Sequence, residues 1–176
     1  LAKTCSDLLE KVFCNHRNKP TINHYPEASS TRVNFYGKDV AQWFYERCGE
    51  YSDSKRLNNK LLALDEVKTA SLLAGYFEGD GYNVKGRSYG VASVSANLIS
   101  QIRLLLAKIG VRSNYRVRKN AGGLGYKPVH DLVIGLSTAE KLREKLIYKK
   151  ADAVIFKPAT WHSLSDMDLR RVTAIE

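Results

Sequence analysis

The chain has 176 residues, of which 44% are hydrophobic. That is the size of one domain with material for a real core, which excludes a disordered tail. Lys and Arg number 28 against 18 Asp and Glu, a net charge of +10 that points to a polyanionic partner. No run approaches the roughly 18 apolar residues of a membrane span, and Leu1 to Cys5 leads into no signal-like stretch, so an intracellular protein is expected. It starts with Leu rather than Met and reads as a fragment or processed segment.

Residues 1–13 carry Leu8, Leu9 and Val12 on one face and read as a helix. Cys5, Cys14 and Cys48 cannot all pair and lack the spacing of a disulfide framework, which fits a reducing compartment. Cys5, Cys14, His16 and His24 form neither a CxxC nor an HxxxH pair, so structural zinc is not expected. Residues 31–36 alternate polar and apolar and read as a strand. Gly37, Lys38 and Asp39 open a helix that turns Val40, Trp43, Phe44 and Cys48 inward and closes at Gly49. A polar connector covers 50–60. A long helix then runs from about Asp65 to Asp80, with Gly81 at a C-cap position where a positive φ is expected.

Two strand-like runs follow, residues 82–87 and 89–95, joined by a tight turn. A helix over 97–109 carries Leu98, Ile102, Leu105 and Ile109 in register and stops at Gly110. Residues 113–119 and 130–136 read as strands around the glycine-rich loop Gly122 to Gly125, and 138–147 as a last helix. The helix, strand and helix around Leu8, Val33 and Trp43 recur about 97 to 99 residues later around Leu105, Leu132 and Leu142, so a pattern is used twice, the first time incompletely. Residues 81–130 hold Lys85, Arg87, Arg103, Lys108, Arg112, Arg116, Arg118, Lys119 and Lys127 and no acid. Nucleic acid is the expected partner of such a block.

Ser71, Gly75 and Gly79 are four apart and share one helical face almost devoid of side chain. Each interior glycine costs about 1 kcal/mol relative to Ala, so close approach of a second helix is the expected compensation. Glu78 and Asp80 place two carboxylates in the last turn, where the helix dipole is negative and a cation would be welcome. Hard oxygen ligands suit Mg²⁺. Gly79-x-Gly81 is not a nucleotide loop: the third glycine of GxGxxG is missing and the helix precedes the glycines rather than following them.

Leu73-Ala74-Gly75-Tyr76-Phe77-Glu78-Gly79-Asp80-Gly81 resembles the LAGLIDADG motif of homing endonucleases. The order of elements around it resembles the family's αββαββα repeat. The resemblance implies an α+β fold with antiparallel, saddle-shaped sheets, one full repeat plus part of another: a partial first repeat over 1–64, a second over 65–150 and a C-terminal extension over 151–176. It further implies a site-specific double-strand DNA endonuclease, intein- or intron-encoded, using Mg²⁺ or another divalent cation. The alternatives are a non-cleaving DNA-binding protein of the same fold and an RNA maturase. In the family two such helices pack through their small residues, and the last acid of each holds the metal; here that acid is Asp80, with the backbone of Gly79 beside it.

Intein-type members carry a lysine in a polar connector before the second motif. Lys55, in Ser54-Lys55-Arg56-Leu57, resembles it, with Lys149 or Lys150 as the counterpart in the second copy. A lysine there would stabilise the charge that develops on the phosphate. The family's strands read the DNA groove with alternate side chains. The DNA-contact candidates are therefore Arg32 and Asn34 from the first copy, Asn83, Lys85, Arg87 and Ser93 from the first hairpin of the second, and Asn114, Arg116, Arg118, Lys119 and His130 from the last two strands. Only one motif is present, so a second LAGLIDADG helix comes from upstream sequence or another chain, or else the chain is inactive as it stands. Residues 168–176 are similar to the segment where inteins resume their splicing domain, without its terminal His-Asn.

Overall fold

The computed structural model describes residues 2–84, 88–119 and 127–135. Helix α1 (Ala2–Val12) is followed by an antiparallel hairpin, β1 (Thr21–Tyr25) and β2 (Ser30–Asn34), closed by a 3-10 turn at Pro26–Ala28. Then come α2 (Lys38–Cys48), the short α3 (Asn59–Leu62) and the long α4 (Glu66–Asp80). Strands β3 (Tyr82–Val84) and β4 (Ser88–Ser93) lead into α5 (Ala96–Lys108), and β5 (Asn114–Arg118) and β6 (Val129–Gly135) complete a sheet of order β3-β4-β6-β5, antiparallel throughout. This is the expected α+β architecture; the helix expected at 138–147 lies outside the described residues. Among the described residues no helix is long and apolar enough to cross a membrane.

Most boundaries fall within two residues of the expectation. Four readings change. Strand β1 went unseen in the sequence, because Thr21-Ile22-Asn23-His24-Tyr25 has too little apolar alternation; pairing with β2 makes it a strand. The connector after α2 contains α3, whose N-cap Asn58 accepts from Leu61 N at 3.1 Å. Strand β4 ends at Ser93, and Ser95 instead caps α5, accepting from Leu98 N at 3.1 Å. Gly81 has φ −72°, not a positive φ. Its requirement is space: a Cβ there would lie 2.0 Å from the Phe77 carbonyl oxygen.

The core lies between α4, α5 and one face of the four-stranded sheet. Leu73 and Phe77 from α4, Ile99, Ile102, Leu105 and Leu106 from α5, and Val91, Leu132 and Ile134 from the sheet are fully buried. Each contributes about 1.5–3 kcal/mol of apolar burial. Phe77 stacks on Tyr89 with centroids 5.7 Å apart, joining helix to sheet. Asp65 caps α4 by accepting from Lys68 N at 2.9 Å, and Gly110, at φ +71°, lets the chain turn off α5. The first half is packed more thinly. No residue of α1 is buried: Leu8 and Val12 are about half exposed, as is Phe44 of α2, which was expected to face inward. Phe13, Phe35 and Trp43 cluster with Phe44 instead.

Register divides the large sheet into two parities. Tyr89, Val91, Leu132 and Ile134 face the helices. On the opposite parity stand Tyr82, Gly90 and Ala92, then Asp131, then Asn114, Arg116 and Arg118, linked by the pairs Tyr82↔Gly90, Ala92↔Asp131 and Arg116↔Asp131.

Candidate functional site

Helix α4 ends where the site begins. The Phe77 carbonyl accepts from Gly81 N at 2.8 Å and from the Tyr89 hydroxyl at 3.2 Å, tying the last turn to the sheet. Within that turn the two acids part. Glu78 is buried at 4% exposure, with no hydrogen-bond partner for either oxygen among the described residues. Asp80 is exposed. One turn earlier, burial and secondarily the charge of Asp80 push the Tyr76 phenol up to about 12.

The glycine face of α4 is open. A Cβ added at Gly75 or Gly79 would meet nothing within 4 Å among the described residues. Ser71, Gly75, Tyr76 and Asp80 line one wall of a cleft of about 540 Å³, and Glu50, Lys55 and Arg56 line the other. The two residues singled out for catalysis from separate stretches, Asp80 and Lys55, thus border one cavity.

The loop carrying Lys55 is fastened from outside. Ser95 Oγ donates to the Lys55 carbonyl at 2.6 Å while capping α5. Gln101 brackets Leu57, accepting from its N–H at 2.7 Å and donating to its carbonyl at 2.9 Å. Sequence reasoning missed Ser95 and Gln101, whose work is visible only once α5 lies against the loop. Lys149 and Lys150 lie outside the described residues.

The strand candidates divide. Asn114, Arg116 and Arg118 are exposed and share one parity of β5. Asn83 pairs with Tyr89 and so stands on the other parity, a phase that alternation alone does not give; Lys85 and Arg87 lie outside the described residues. Ser93 and His130 also take the helix-facing parity, at the sheet margin: Ser93 Oγ accepts from Ser95 N at 3.1 Å, and His130 stacks on Tyr115 with centroids 5.9 Å apart. Lys119 is exposed after β5. In the small hairpin Arg32 lies over the Tyr25 ring at 4.9 Å, and Asn34 pairs with Thr21. Asn23, opposite Arg32, joins that face and was missed along with its strand.

The basic block is less free than its composition implies. Asp131, directly after it and fully buried, binds Arg116 and Arg118 together. Lys127 pairs with Asp53, and Lys108 donates to the Leu64 carbonyl on the helical side of the domain.

Residues 68–146 match the model of the LAGLIDADG-like domain family. Two proteins of Thermococcus kodakarensis are similar. An ATP-dependent DNA helicase Hel308 is 30% identical over 129 residues, 68% of this chain and 11% of that protein. A DNA polymerase II large subunit is 39% identical over 77 residues, 43% of this chain and 4% of that protein. The chain therefore spans only a small part of these relatives. Among solved structures, mesophilic variants of the homing endonuclease I-DmoI superpose with a TM-score of 0.63 at 13% identity, over 85% of this chain and 74% of theirs. I-DmoI in complex with DNA and Mn gives 0.60 at 14% identity, over 84% and 72%. At such identities the likeness shows the fold.

Proposed function

We propose that this chain, whose residues 68–146 match the LAGLIDADG-like domain, belongs to the LAGLIDADG homing endonucleases and is the DNA-cutting part of a site-specific double-strand endonuclease. The observation that carries the reading is the meeting of Asp80 and Lys55 on one cleft beside a helix face left open by Gly75. The occupant of that face is a second LAGLIDADG helix, from elsewhere in the polypeptide or from another copy. On this reading residues 1–64 form a partial first repeat, 65–150 a second and 151–176 an extension. Matches confined to 11% and 4% of a helicase and a polymerase subunit support an intein-type insertion within a longer host polypeptide working inside the cell.

The donor set fits a hard divalent cation, Mg²⁺ first. Asp80 is an exposed carboxylate at the negative end of a helix dipole, and Gly79 offers its carbonyl oxygen. These supply part of an oxygen shell; among the described residues no three His, Cys, Asp or Glu side chains cluster as a metal site. Such a cation, when bound, activates water and stabilises the leaving oxygen. Lys55 places positive charge where the phosphate gains negative charge. Asn114, Arg116 and Arg118, with Arg32, Asn34 and Lys119, face the duplex.

The test incubates the chain with a library of randomised duplexes and MgCl₂ and sequences the cut ends. Asp80→Asn should abolish cutting while leaving duplex binding intact, and undiminished cutting removes Asp80 from the mechanism. Binding should weaken steeply with salt as phosphates are neutralised. A non-cleaving DNA-binding protein is the second reading, favoured by the single exposed motif carboxylate; binding without cutting by the wild-type chain selects it.

A further inference from the structure

Asp131 is a carboxylate on the parity of the sheet that carries the arginines, at the centre of the four strands, with no exposed surface. Its cover is polar. Arg116 Nε donates to Oδ2 at 3.0 Å. Arg118 binds it side-on, Nε to Oδ2 at 2.6 Å and Nη2 to Oδ1 at 3.0 Å. The Tyr82 hydroxyl, which also bonds the Arg116 side chain, reaches Oδ1 at 3.4 Å. Tyr82 can lie there because its partner in register is Gly90, where a Cβ would come within 2.7 Å of the Tyr82 ring. Side chains from β3 and β5 thus converge on one anion of β6, and both arginine side chains stay about half exposed.

The two arginines are used differently. Asp131 takes the side-on fork of Arg118, the Nε and Nη2 edge that would otherwise grip a planar acceptor pair. From Arg116 it takes Nε; Tyr82 bonds the same side chain, which still stays more than half exposed, with its terminal amino end past the Nε contact. An end-on fork is what reads O6 and N7 of guanine in a major groove. A long side chain held at its neck gives up less rotamer freedom on binding than a free one.

We propose that Asp131 is a positioning residue for sequence reading: it holds Arg116 with its end-on fork toward a guanine edge, with Arg118 and Tyr82 as supports. This rests on the DNA-cleaving reading above and names the residue through which the sheet distinguishes one base pair. An acid on a face that meets phosphates would otherwise weaken binding; buried under two cations, it leaves that face net positive.

Two kinds of measurement separate this proposal from the reading beneath it. NMR of the free chain should show two arginine Nε–H signals in slow exchange, assigned to Arg116 and Arg118, and Asp131→Asn should lose both. Selection from a randomised duplex library should then show a guanine preference at one base pair that falls about tenfold in Asp131→Asn, the size of one bidentate contact. Affinity for mixed-sequence duplex should hold or rise, with a steeper salt dependence as the freed guanidinium groups reach phosphates. Arg116→Lys keeps the charge and should show the same loss of preference, and the double variant no further loss. If Asp131→Asn does not fold, the wild-type Nε signals and the Arg116→Lys preference decide between the outcomes. Unchanged base preference in a folded Asp131→Asn, or fast exchange of both signals in the wild type, overturns the positioning role alone. Failure of the wild-type chain to bind any duplex, with the slow signals present, overturns the DNA reading and the proposal with it.

Discussion

Three glycines within seven residues of α4 and its end should respond to Ala in opposite directions. At Gly75 and Gly79 an added Cβ meets nothing within 4 Å among the described residues. The helix-propensity gain of about 1 kcal/mol should therefore appear nearly whole at Gly75 and reduced in the last turn at Gly79. For a chain of this size that is a rise of roughly 2–4 °C in Tm. Gly81 has an Ala-compatible φ of −72°, so reduced freedom of the unfolded chain alone would favour Ala by about 0.4–1 kcal/mol. Its Cβ, however, would sit 2.0 Å from Phe77 O, 2.9 Å from Phe77 C and 3.1 Å from the Tyr89 hydroxyl oxygen. Relief requires a shift of more than about 1 Å to reach an ordinary C···O distance. The carbonyl that must move holds both Gly81 N and Tyr89. Overpacking of this kind costs about 1–3 kcal/mol, and each strained hydrogen bond about 1 more. The net expectation is a loss near ~2 kcal/mol. Thermal and urea denaturation of the three single variants, followed by circular dichroism, measures the contrast. A Gly81→Ala chain as stable as Gly75→Ala refutes the steric account, and a destabilised Gly75→Ala shows that the face is covered.

Ser95→Ala removes both the α5 cap and the bond to the Lys55 carbonyl, so about 2 kcal/mol should be lost. Cleavage of a selected duplex should fall more than its binding; equal falls deny Ser95 a positioning role. Glu78→Met replaces a carboxyl whose two oxygens are buried without partners, and the urea midpoint should rise by the equivalent of about 1–3 kcal/mol. A lowered midpoint means that the carboxyl has a partner in the folded protein. Tyr76 should titrate near pH 12 in absorbance at 295 nm. Its folded pKa lies above the ordinary tyrosine value of 10, so the stability it carries is present below pH 10 and is lost as pH rises through about 12. Asp80→Asn should bring that midpoint down only in part, because burial is the larger cause; an unmoved midpoint separates Asp80 from Tyr76.

The motif helix was legible because its pattern is extreme: two glycines and a serine on one face, large apolar residues on another, and two acids at the end. Helix α5 was legible from strict 3.6-residue periodicity. Strand β1 was not, since one apolar residue among Thr21, Asn23 and His24 carries no period, and its partner supplies the reason to extend. Alternation reveals the period of a strand but not its phase. Hence Asn83 and Asn114 looked equivalent, and register puts them on opposite parities. The tether between Asp131 and Arg116 was invisible for the same reason: fifteen residues separate them in sequence, and only the β5–β6 pairing sets them opposite each other. The basic block suggested free cations because its stretch has no acid, and the acid that binds two of them comes directly after it.

Two helices leave faces exposed. Helix α1 buries none of its residues, leaving Leu8 and Val12 half exposed, and α4 turns a face of Ser71, Gly75 and Gly79 to the outside. Apolar exposure of this kind has a physical cost that an isolated chain keeps, and each interior glycine adds about 1 kcal/mol to it. A helix bearing its own small residues would meet α4 at close backbone approach. Placed as in the paired-helix arrangement, it would also set a second acid near Asp80 and complete the oxygen shell proposed there. Stability and chemistry would then depend on the same contact. Gly75→Ala separates the two: it should make this chain more stable and the paired assembly weaker. A bulkier residue at that position should widen the gap, because the occupant meets the side chain and the isolated helix does not.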